Sequence, residues 1–146
     1  MQNLLHEVKI TRIQNAAAVG TTTLTTAAVD MQGWDGVLFV GAFGTITDGT
    51  PGIKARQGQL ANMSDGADLA GTLVSPALTD DNKVVALDVY RPQERYLDVQ
   101  IVRGGATGAV VDGAIAIQYR GRNKPSVQDV TVAASEAWSS PAEGTA

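Results

Sequence analysis

The chain has no cysteine and a single histidine, His6, among its 146 residues. Without cysteine there can be no disulfide, no thiolate nucleophile and no Cys-based zinc site, and folding is indifferent to redox compartment, so assembly in a reducing cytoplasm is the expectation. One histidine also closes the multi-histidine iron and zinc centres found in jelly-roll oxygenases and isomerases. A Ser-His-Asp triad would need His6 as its base, but no Gly-x-Ser-x-Gly elbow accompanies it, and it reads as a strand or N-terminal arm residue. Basic residues are the minority, 11 Lys and Arg against 15 Asp and Glu, and the resulting net charge of −4 counts against direct binding of nucleic acid. Aromatic residues make up only 5% of the chain, which leaves Val, Ile, Leu and Ala to fill the core and few rings to platform a sugar. No run approaches the roughly 20 apolar residues of a membrane span. The opening residues Met1-Gln2-Asn3-Leu4-Leu5-His6-Glu7 lack the basic start and apolar centre of a signal peptide, so the expectation is a soluble, non-exported protein with no membrane partner.

Other chemistry is sought and not found. Arg103-Gly104-Gly105-Ala106-Thr107-Gly108 lacks the Lys-Ser/Thr of a phosphate loop and stands between strands. Asp80-Asp81-Asn82 and Asp65-Gly66-Ala67-Asp68 carry hard oxygen ligands without the spacing of a calcium loop, and read as turns. The fifteen acids offer no pair that the sequence itself brings into one cleft. The chain is therefore read as a non-enzyme, with no catalytic residue, cofactor or metal assigned.

What is present is β-structure. A compact domain of this length buries roughly 68–70% of its unfolded surface and needs no staple. Sixteen glycines and many threonines disfavour helices. Period-two alternation places Val111, Gly113, Ile115, Ile117 and Tyr119 on one face of a strand, buried, with Asp112, Ala114, Ala116, Gln118 and Arg120 on the other. Leu97, Val99 and Ile101 repeat the pattern opposite Asp98 and Gln100, as do Val85, Leu87 and Val89. With Arg103–Gly108 as a hairpin loop and 90–96 as a turn around Pro92, these three strands are expected to form a meander. Leu4, Val8 and Ile10 line one face of a first strand, and Thr23 to Val29 makes a second. The stretch from Gly36 to Phe43 is apolar enough to be central and covered on both faces. Gly52 to Gln59 reads as a polar edge strand, Leu69 to Val74 as a shorter one, and residues 60–68 as a loop or single helical turn. The sum is an all-β, antiparallel β-sandwich, jelly-roll-like, of about eight strands over residues 1–120. Trp34, flanked by Gly33 and Gly36, is expected to plug one end.

After Tyr119 the basic run Arg120-Gly121-Arg122-Asn123-Lys124-Pro125 opens an extended C-terminal arm over 121–146. Val127, Val130, Val132 and Trp138 are too apolar for a fully solvated tail, so part of the arm is expected to pack on its own domain or on a partner.

The segments Val29-Asp30-Met31-Gln32-Gly33-Trp34-Asp35-Gly36-Val37, 57–65 and Asp88-Val89-Tyr90-Arg91-Pro92-Gln93-Glu94-Arg95-Tyr96, with the closing 140–146, resemble a family of small virion proteins of tailed bacteriophages and prophages. The resemblance implies a structural protein similar to capsid decoration, or cement, proteins, which bind the outer surface of the major capsid protein shell as dimers or trimers and stabilise the head. It would place the chain on the capsid exterior after assembly in the host cytoplasm. On that reading the partner-binding residues are Leu4, Leu5, His6 and Glu7 of the N-terminal arm, Arg120, Arg122, Lys124 and Trp138 of the C-terminal arm, and Arg91, Glu94 and Arg95 of the turn. A tail or head-tail connector subunit, which would form rings, and a sugar-binding host-recognition module are the alternatives.

Overall fold

A computed structural model describes residues 3–140 and 142–145. Met1 and Gln2 of the expected N-terminal arm, and Pro141 and Ala146 of the closing segment, lie outside the described residues. Among the described residues one helical turn, α1 (Leu4–Glu7), precedes ten strands: β1 (Val8–Gln14), β2 (Ala17–Gly20), β3 (Leu24–Thr25), β4 (Val29–Asp30), β5 (Gly36–Ile46), β6 (Gly52–Gly58), β7 (Ala67–Asp68), β8 (Val84–Tyr90), β9 (Tyr96–Val102) and β10 (Ala109–Tyr119).

The strands form two antiparallel sheets, one in the order β1-β10-β5-β8 and the other β3-β9-β6-β7, with β2 beside β10 and β4 beside β9. Between β5 and β10 the chain repeatedly crosses from one sheet to the other, which is the jelly-roll arrangement. The expected sandwich is thus observed with ten strands instead of eight: the anticipated second strand is broken into β3 and β4, and β2 is an additional short strand.

The expected meander is not formed. β8 and β10 lie in one sheet and β9 lies in the other, so 91–95 and 103–108 bridge the two layers instead of closing hairpins. β9 pairs instead with β3, β4 and β6, and Arg103 at its end is buried and donates to the carbonyls of Thr22 (2.8 Å), Ala18 (2.8 Å) and Ala109 (3.3 Å). Asp48 accepts the backbone N–H groups of Ala106, Thr107 and Gly108, fixing the loop against the end of β5.

The core lies between the sheets and includes Phe39, Phe43, Ile53, Leu97, Ile101 and Val111. Only one face of β5 is fully buried, since Leu38, Val40 and Ala42 stay partly exposed on the outer face of the sheet. β6 is an inner strand, hydrogen-bonded to β9 on one side and to β7 on the other. The expected strand over Leu69 to Val74 reduces to a single bridge between Val74 and Ile53, while β7 lies just before it. The first strand begins at Val8, because Leu4 to Glu7 coil into α1.

β10 is inverted relative to the simple alternation. Its register shifts between Val111 and Gly113, where Gly113 takes φ +138°. This bulge puts Ala114, Ala116 and Gln118 toward the core and turns Ile115, Ile117 and Tyr119 to the outer face.

Asp98, expected on a solvent face, is 1% exposed and sits directly across from Arg56, which binds it through two bonds of 2.9 and 2.6 Å. Replacing Asp98 by Ala leaves the guanidinium largely covered and unpaired, and should cost about 3 kcal/mol in urea unfolding. Asp30→Ala, which breaks the half-exposed pair with Arg95, should cost less than about 1 kcal/mol. Equal losses would contradict the assigned burial.

Candidate functional site

Three chain segments meet at one end of the sandwich. The Met31 N–H donates to the Arg95 carbonyl (2.8 Å), the Arg91 N–H to the Asp35 carbonyl (2.7 Å) and the Arg122 N–H to the Gly33 carbonyl (3.0 Å). These bonds tie the 31–35 loop, the 91–95 connection and the start of the C-terminal arm into one surface. Arg91 and Arg120 both take positive φ, which aims them out of the ends of β8 and β10. Trp34 lies under Gly121, where any added Cβ would collide with the indole, and packs against the margin of the core as the expected plug.

The surface is cationic and aromatic. The Arg91 guanidinium lies 5.1 Å from the centre of the Tyr90 ring and that of Arg120 5.7 Å from the same ring, while Arg120 also donates to the Tyr90 hydroxyl (3.2 Å). Arg95 covers Tyr96 at 5.1 Å. Arg95 binds Asp30 through two bonds, Arg120 lies 3.9 Å from Asp35, and Lys124 pairs with Glu7. Among the described residues Arg91 and Arg122 have no carboxylate partner. Both line the same open depression of about 570 Å³, together with Trp34, Gln32 and Glu94. The Tyr119 phenol is pushed up to about 12 by burial and by the neighbouring Asp88 carboxylate, to which its hydroxyl donates a hydrogen bond of 2.7 Å, so it remains a neutral donor.

The two terminal segments contact each other. Gln128 of the arm accepts the Ile10 N–H (2.8 Å) and donates to the carbonyls of Val8 and Leu5, while Thr131 accepts the Arg12 N–H (2.9 Å). Ser126 donates to the His6 carbonyl. The arm thus docks along β1 through polar side chains, and Val127 (84% exposed) and Val130 (98%) face solvent. Part of the arm thus packs on its own domain, as expected, but through Gln128 and Thr131, with Val132 half-buried, and not through Val127 and Val130. Leu4 is exposed and lines a depression of about 430 Å³ with Glu7, Arg120 and Lys124, next to the basic end. Leu5 and His6 line a smaller one of about 100 Å³ with the arm. Trp138 is exposed and donates its indole N–H to Glu136, its neighbour on the arm.

The structure therefore brings Arg91, Glu94, Arg95, Arg120, Arg122 and Lys124 together, with Leu4 and Glu7 adjoining. Leu5, His6 and Trp138 lie with the arm. Sequence reasoning missed Asp30, Asp35 and Tyr90 at this end; the only signal was their closeness to Trp34 and Arg91 in the chain. The carboxylates of the two candidate calcium segments are engaged locally: Asp65 accepts from the Gln59 and Leu60 N–H groups, Asp80 from Ala77 and Lys83, and Asp81 from Ile46. No family model and no curated protein matches the chain.

The Arg95 guanidinium, assisted by the Gln32 N–H, holds the Asp30 carboxyl below its ordinary value despite some desolvation. The Gly108, Thr107 and Ala106 N–H groups do the same for Asp48. A carboxyl depressed in the folded state stabilises fully above its unfolded value and loses that contribution as pH falls through the lower folded one. The melting temperature should thus be flat from about pH 5 to 7 and fall below about pH 4. NMR titration should place the Asp30 midpoint below that of a free aspartate, and Arg95→Gln should return it upward; an unchanged midpoint in that variant would refute the assignment.

Proposed function

We propose that the protein is a bacteriophage capsid decoration protein that binds the outer surface of the major capsid protein shell and stabilises the head. The observation that carries this reading is the convergence at one end of the sandwich of Arg91, Arg95, Arg120, Arg122 and Lys124 from segments far apart in sequence, as an open surface instead of an enclosed cleft. An open, cationic and aromatic surface suits recognition of an acidic, repeating protein face. Arginine forks bind carboxylates through paired bonds, and flanking rings supply rigid contact area. The segments that resemble phage virion proteins include two of the three that build this end, 29–37 and 88–96. Repetition of the contact over a lattice lets a modest single interaction serve, because each occupied site adds its own share of stability to the shell.

In this account Arg91 and Arg122 are the first residues to engage the shell, since neither is spent on a carboxylate within the described chain. Purified protein added to undecorated heads should co-sediment in proportion to the shell protein and raise the temperature at which the heads rupture. Binding should weaken with salt, and the Arg91→Glu, Arg122→Glu double variant should bind about tenfold more weakly or worse while melting like the parent. Failure of the parent protein to bind heads, or its location at one vertex or the tail by electron microscopy, would overturn the reading. Undiminished binding by the double variant would overturn the assignment of this surface.

A further inference from the structure

The free margin of the β1-β10-β5-β8 sheet is β8, with the sequence Val84-Val85-Ala86-Leu87-Asp88-Val89-Tyr90. The Arg91 N–H bonds the Asp35 carbonyl and the Phe43 N–H bonds the Lys83 carbonyl, so odd-numbered residues direct their backbone groups at β5. The N–H and C=O groups of Val84, Ala86, Asp88 and Tyr90 consequently point away from the sheet. None of them has a hydrogen-bond partner among the described residues. Their side chains are exposed, with Val84 at 65% and Tyr90 at 47%, and continue an outer face that already carries Leu38, Val40, Ile115 and Ile117. A largely apolar, seven-residue edge left open in this way is a template for another strand.

We infer that the strand which occupies this edge is β8 of a second copy of the same chain, antiparallel across a two-fold axis through Leu87. The sequence of the strand is nearly self-complementary about that residue. In this register Val85 faces the partner's Val89, and Val84 faces the partner's Tyr90, a β-branched residue against an aromatic one. Asp88 faces the partner's Ala86, so the two aspartates are not opposed. The outward backbone groups of Val84 and Ala86 then meet those of the partner's Tyr90 and Asp88 as hydrogen-bonded pairs, and Leu87 meets the partner's Leu87 at the axis as the closer, non-bonded pair. Moving the axis to Asp88 would oppose the two carboxylates, and moving it to Ala86 would bring Tyr90 against Asn82, which lies outside the strand at φ 58°. Lys83, at the end of the edge, is already bound by Asp80 at 2.7 Å. The contact is isologous and closes as a dimer whose two sheets are continuous. It meets the basic end only at Tyr90, whose ring Arg91 and Arg120 cover, and does not rest on the capsid reading.

Sedimentation equilibrium of the purified full chain tests this. At about 100 μM, where even a ~10 μM dimer is mostly associated, the mass should be twice the 15.2 kDa of one chain. Ala86→Asp sets a carboxylate opposite the partner's Asp88 and should raise the dimer dissociation constant about tenfold or more. Ala86→Lys sets an ammonium there and should leave the dimer intact or tighter. The Ala86 side chain is exposed in the single chain, and both variants should melt like the parent at concentrations where the parent is monomeric. A single-chain or trimeric mass overturns the inference, as does an Ala86→Asp dimer as tight as the parent. Equal dissociation of both variants overturns the register.

Discussion

Backbone N–H and C=O groups at the margins of a β-sandwich must find partners in the protein or in water, and the arrangement of this molecule follows from how each margin meets that demand. At β1 the C-terminal arm supplies side chains in place of a strand: Gln128 bonds Ile10, Val8 and Leu5, and Thr131 bonds Arg12. At β6 the short β7 does part of the work, and the segment that follows completes it through the paired Val74–Ile53 bridge and the Thr72 hydroxyl on the Ala55 N–H. β8 alone among the long strands has a side on which no such partner is present among the described residues.

The same logic explains why the arm was only partly legible. Apolar residues usually mark packing, yet Val127 and Val130 face solvent, and the residues that dock are an ordinary-looking glutamine and threonine. Nothing in residue type distinguishes a glutamine that caps a strand edge from one that is solvated. The distinction arises only when β1 is placed at the margin of a sheet.

The two-layer antiparallel architecture was readable because Val, Ile and Leu alternate strongly in β8 and β9. Two features defeated local periodicity. The bulge at Gly113 reverses which half of β10 faces the core, and a glycine within an alternating run announces such a site without giving the direction of the change. The placement of β9 in the opposite sheet rests on its ladders with β3, β4 and β6, and the connection that follows is held by Arg103, whose partners Thr22, Ala18 and Ala109 are brought to it by the fold. A glycine-rich connection looks the same whether it closes a hairpin or spans two layers. Similarly, Arg91, Arg95, Arg120 and Arg122 stood out singly as exposed charges, but their meeting around Trp34 is a tertiary fact.

These features give two adjoining regions with different physics, which share Tyr90. The basic end offers charge and aromatic area to a partner of opposite charge. The β8 edge and the outer face beside it offer backbone bonds and apolar area suited to a second copy, so the dimer would present two basic ends in a fixed relation, each able to engage a repeating lattice. The most direct measurement is residue-resolved amide hydrogen exchange of β8 at low and high protein concentration. The account predicts that Val85, Leu87 and Val89 are protected at both concentrations, while Val84, Ala86, Asp88 and Tyr90 exchange freely when dilute and become protected when concentrated. Fast exchange of those four amides at every concentration, or their protection in the dilute chain, would contradict it.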